Sequence, residues 1–99
     1  MTYWMLMRKG RVQNFGGRHA LTGEPARFLP VASTFEDAKR LADWMGDKDI
    51  RPAQIGSVEG ETLSHHISLS IEQGCVATYC VDGWNNDGSP RWCVLHQEA

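Results

Sequence analysis

No run of about 18 apolar residues occurs anywhere in the 99-residue chain, which excludes a membrane-spanning helix of ordinary length. The N-terminal stretch Tyr3–Met7 is apolar, but its charges, Arg8 and Lys9, follow the run instead of preceding it, so it does not have the order of a secretory signal. Cysteine is sparse and odd in number: Cys75, Cys80 and Cys93 are poor material for a disulfide framework, and we expect reduced thiols in a cytoplasmic protein. There is also no internal repeat and no low-complexity segment. The G-x-S-x-G, C-G-x-C, H-E-x-x-H and Gly-Lys-Ser/Thr patterns that organise common catalytic and phosphate-binding sites are all missing. The length leaves no room for a second domain, yet a chain of this size buries roughly 60 to 68% of its unfolded surface, enough for one hydrophobic core. A single α+β domain over residues 1–99 is the expectation.

What is present is strongest in residues 29–46. Ser33 or Thr34 can cap a helix, with Glu36 or Asp37 three residues later completing a capping box. Phe35, Ala38, Leu41, Ala42 and Met45 fall on one helical face, and Gly46 suits the left-handed residue that ends the helix. Around this element the chain reads as strands. Tyr3–Met7 and Val12–Phe15 suggest a hairpin, Phe28–Val31 a strand leading into the helix, and Ala53–Val58 another after Pro52. The glycines and proline of residues 16–25 read as a loop. Residues 61–73 fit either a helix, through Leu63, Ile67 and Ile71, or a strand, through Ile67, Leu69 and Ile71; the following Gly74 favours the helix.

Cys75–Val81 and Trp92–Leu95 read as a second hairpin. Centring its turn on Asp87-Gly88 opposes Val81 to Val94, Tyr79 to His96, Gly83 to Trp92 and Trp84 to Arg91, the last a cation–π pair. A wider turn instead opposes Cys80 to Cys93 and Asp82 to Arg91. The first register is preferred. The expected architecture is a mostly antiparallel sheet with one or two helices packed on one face.

For chemistry, Cys75, Cys80, Cys93 and His96 have the residue types of a zinc site, but the odd spacing of each pair sends its members to opposite faces of a strand, and no metal or other cofactor is expected. His65 and His66 likewise diverge, whether in helix or strand. Charge is unevenly spread. Residues 1–31 carry a net +4 and the remainder −6, which suggests that Arg11, Arg18 and Arg27 gather near the Gly16-Gly17 loop as a weak anion site, while a pocket joining Arg18, His19 and a second histidine would instead favour a ligand-binding protein or enzyme. Of the four tryptophans, Trp44 and Trp84 are the candidates for exposed contact residues.

The run Phe28–Ala38, the later Gln54-Ile55-Gly56 and the helix–Gly74–strand unit resemble small bacterial α+β domains of the SseB-like or unknown-function kind. That resemblance covers residues 28–83 and implies a cytoplasmic domain with no catalytic residue and no cofactor. The functional expectation is a binding or regulatory module that meets a protein partner or itself, with neither membrane nor nucleic acid involved. The alternative is a small ligand-binding protein or enzyme using the basic N-terminal loop and a histidine.

Overall fold

The computed structural model describes residues 2–98. Strands β1 (Trp4–Arg8) and β2 (Arg11–Val12) form a hairpin in which Arg8 opposes Arg11. Lys9 and Gly10 between them both have positive φ, 51° and 77°, the two-residue turn whose twist matches that of the strands. Strands β3 (Phe15–Arg18) and β4 (Pro25–Ala32) form the next hairpin, with Phe15 opposite Phe28 and Arg18 opposite Pro25. Residues 16–18 and 25 are therefore strand, where a loop was expected. The reason is non-local: a Cβ at Gly17 would stand 2.7 Å from Cε1 of Phe28, so this glycine is where an aromatic ring packs closely against the strand.

Helix α1 (Phe35–Met45) follows as the sequence indicates. Of the two possible caps the structure uses Thr34, whose Oγ1 accepts from the Asp37 amide at 3.1 Å, and Gly46 closes the helix at φ 76°. Strand β5 (Ile50–Gln54) begins earlier than the expected Ala53–Val58 and includes Pro52. It pairs with β1 alone, and an edge strand tolerates a residue that cannot donate to the ladder. Helix α2 (Leu63–Glu72) resolves the ambiguous segment: Thr62 Oγ1 accepts from the His65 amide at 3.1 Å. Strands β6 (Ala77–Trp84) and β7 (Pro90–Gln97) complete the chain.

All seven strands belong to one sheet. One edge of β1 carries β5; the other is shared by the end of β4 and by β2. β4 in turn pairs with β3 up to Phe28 and with β1 from Val31, and Pro30 falls where it changes neighbours. The pairing of β4 with β6 is parallel and the rest are antiparallel, so the fold is α+β as expected.

The placement of the helices on a single face is corrected. Ala38, Leu41 and Ala42 of α1 pack with Leu6, Ala32 and Val81, whereas Leu63 of α2 packs with Leu29, Val31 and Cys80. Successive residues of β4 point to opposite sides of a pleated sheet, so α1 and α2 cover opposite faces.

The preferred register of the last hairpin is also corrected. Tyr79 opposes Val94, Cys80 opposes Cys93 and Val81 opposes Trp92, the pattern of the wider turn. Two irregularities produce it. The turn is a three-residue loop, closed by the Asn85 amide on the Ser89 carbonyl at 2.8 Å and by Asp87 Oδ1, which accepts from the Ser89 amide at 2.9 Å. Beyond it the ladder slips between Val81 and Trp84, where Gly83 has φ +100° and the Arg91 guanidinium lies over the space a side chain would fill.

Candidate functional site

A cleft of about 670 Å³ opens between the Gly10–Asn14 segment, β4 and α2. Each wall is positioned by an element already described. Arg11 leaves the tight β1–β2 turn. Arg27 precedes Phe28, and since Phe28 turns toward α1, Arg27 turns toward α2. His66 and Ser70, one helical turn apart, are the buried residues of α2, and both line the cleft. Asn14 ties the two walls together, its Nδ2 donating to Gln73 Oε1 at 3.2 Å.

The electrostatics of the cleft are asymmetric. Arg8 pairs with Asp47, His66 with Glu61 and His96 with Glu98; among the described residues neither Arg11 nor Arg27 has an acidic partner. Two guanidinium groups thus share a concavity with no carboxylate to neutralise either. His66 is different: only 7% exposed, its Nε2 lies 2.7 Å from Glu61 Oε1, a carboxylate that fixes the imidazole's orientation. The neighbouring hydroxyl offers no nucleophile, because Ser70 Oγ donates to the Ile67 carbonyl at 2.8 Å, a bond within its own helix. Asn14 Oδ1 is buried without a protein partner among the described residues.

The structure brings together some of the residues expected to act together and separates others. Arg11 and Arg27 share the cleft. Arg18 does not reach it: its Nη1 donates to the Gly23 carbonyl at 2.8 Å, and it borders a neighbouring groove with Gly16, Gly17 and Arg27. His19 lies elsewhere, beside the Gln97 amide at 3.0 Å, with its Nδ1 accepting from the Leu21 amide at 3.1 Å. Of the three arginines expected to converge, Arg27 is shared by both concavities, while strand pairing at residues 15–18 keeps Arg18 beside Gly16 and Gly17 and apart from Arg11.

Trp44 and Trp84 are on the α1 side. Trp44 is 41% exposed, with its ring 5.5 Å from that of Phe15. Trp84 is half-buried and occupied: its Nε1 donates to Asp37 Oδ1 at 3.1 Å, and the cation over its ring is Arg40, at 4.3 Å, in place of the expected Arg91. The slipped register moves Arg91 onto Gly83.

Glu61, Asn14 and Gln73 were not singled out from the sequence, and His66 was weighed only as one of a diverging pair with His65. The spacing of His66 and Ser70 was the available signal, since i and i+4 share a helical face once residues 63–72 are helix. No group of three or more His, Cys, Asp or Glu side chains is gathered for a metal among the described residues, and no helix is long and apolar enough to cross a membrane. Compared with protein-family models, with curated proteins and with solved structures, the chain gives no match.

Proposed function

We propose that this chain is a small non-enzymatic binding module whose α2 cleft takes an anionic small molecule, a phosphate or carboxylate compound, on Arg11 and Arg27. The observation that carries this reading is the pair of guanidinium groups lining one cleft without an acidic partner. Guanidinium groups hold phosphate and carboxylate oxygens through parallel N–H donors, each charge-assisted bond contributing about 1.5–3 kcal/mol. Both side chains are exposed enough for salt to screen them, so the affinity is modest and falls with ionic strength. The volume lies within the range of about 300–1,000 Å³ usual for small-molecule sites. The odd cysteine count and the resemblance of residues 28–83 to SseB-like domains are the grounds for expecting a cytoplasmic, bacterial setting for such a module.

Calorimetric titration with inorganic phosphate and with succinate tests the reading. Binding is expected at low salt, weakened about tenfold by Arg27→Ala or Arg11→Ala and little changed by Arg18→Ala. Equal affinity in the wild type and both cleft variants contradicts it.

A second reading, contact with a protein or with another copy, is favoured by the opposite face, where Trp44 and Val94 are 41% and 49% exposed. Sedimentation of the wild type beside Trp44→Ala separates this reading from the first.

A further inference from the structure

Strands β6 and β7 place Cys80 and Cys93 directly opposite each other. Directly opposed residues of an antiparallel pair have Cα atoms about 4.5 or 5.5 Å apart and side chains on the same face, and both separations lie inside the roughly 4.4–6.8 Å window of a disulfide. The two side chains sit in one apolar cluster on the α2 face with Leu29 and Val31, where the Cys80 thiol donates to the Val81 carbonyl at 3.6 Å. The third cysteine is set apart: Cys75, 3% exposed, precedes β6, with its amide donating to the Ser70 carbonyl.

We propose that Cys80 and Cys93 form a reversible dithiol–disulfide pair, closed by exchange with a small-molecule disulfide such as oxidised glutathione. Cys93 is the half-buried member and Cys80 is 5% exposed, so the incoming disulfide meets Cys93 first. Its thiol gives a proton to solvent and the thiolate attacks one sulfur of the oxidant. A mixed disulfide forms at Cys93, the oxidant's sulfur–sulfur bond breaks, and the departing thiolate takes up a proton. Cys80 then loses its proton and attacks Cys93 Sγ, forming the internal bond and expelling the second small thiol. The protein loses two protons and two electrons, together two hydrogen atoms, and one small-molecule disulfide becomes two thiols.

Burial, with the Cys93 thiol as a smaller contribution, pushes the Cys80 thiol up to about 11. Its thiolate is scarce near neutral pH, which makes the second step the slow one and gives it a rate that rises about tenfold per pH unit. The fold needs no rearrangement, because the strands to be linked are already paired.

The test is intact-mass spectrometry and peptide mapping of the full chain incubated with oxidised glutathione at several pH values. The expected wild-type product has lost two hydrogens, contains a Cys80–Cys93 crosslink with Cys75 still free, forms faster as pH rises, and reverts with dithiothreitol. Cys75→Ser behaves as the wild type. Cys80→Ser stops at a stable glutathione adduct on Cys93. A lasting adduct on wild-type Cys93, a crosslink that uses Cys75, or no reaction of either cysteine in the folded protein overturns the proposal.

Discussion

Leu41→Ala lowers the unfolding free energy by about 2–5 kcal/mol in urea titration, while Lys39→Ala, two residues away, changes it by less than about 0.5 kcal/mol. Leu41 is 1% exposed and sits where α1 meets Leu6, Ala32 and Val81, side chains from three different strands. Truncation removes the leucine's transfer free energy and leaves a cavity that three strands of one sheet cannot jointly close. Lys39 is exposed on the same helix and makes no ion pair among the described residues, so its loss removes little. A domain of this size is stable by only about 5–15 kcal/mol, and the midpoint of thermal unfolding is expected to fall by about 4–8 °C for each kcal/mol lost. Similar small losses for the two variants contradict the assignment of the α1 face.

Phe28→Ala is expected to cost about 3–5 kcal/mol by the same titration, and it acts on a second region of the core. The Phe28 ring is 3% exposed and lies 4.5 Å from Tyr79, 5.1 Å from Trp92 and 5.4 Å from Phe15, measured between centroids. It also stands over Gly17, so its removal uncovers the β3 backbone at that glycine. The near-ultraviolet dichroism of the aromatic cluster should collapse with the stability. Phe35→Ala is the contrast: Phe35 is 45% exposed and rests edge-on against Trp4 at 5.2 Å, so the loss is no more than about 1 kcal/mol. If Phe28→Ala is as mild as Phe35→Ala, the aromatic cluster is not the second core region.

What was legible in the sequence was local. The cap at Thr34, the apolar stripe through Leu41 and the stop at Gly46 lie within a few helical turns, and the structure has each of them. The errors occurred where a distant residue decides the conformation. Gly16-Gly17 reads as loop until Phe28 is packed against it. The last hairpin follows its wider register because of the three-residue loop at Asn86–Gly88 and the slip at Gly83.

The opposite-face placement of the helices had a signal that was not used. Phe28-Leu29-Pro30-Val31-Ala32 is apolar at every position, without the alternation of a strand covered on one side, and the structure buries all five between a helix on each side. Arg27 and Phe28 diverge for that reason, and the cleft follows from it. Its walls, Asn14 and Gln73, are 59 residues apart in the chain, a separation that no local pattern bridges.

The most direct test of the anion cleft is a phosphate titration followed by amide nitrogen–proton correlation spectra at low salt. The account predicts saturable shifts confined to residues 10–14, Arg27 and residues 66–73, lost in Arg27→Ala and diminishing as salt is added. Shifts that centre instead on Trp44 and β7, or that persist unchanged in Arg27→Ala, contradict it.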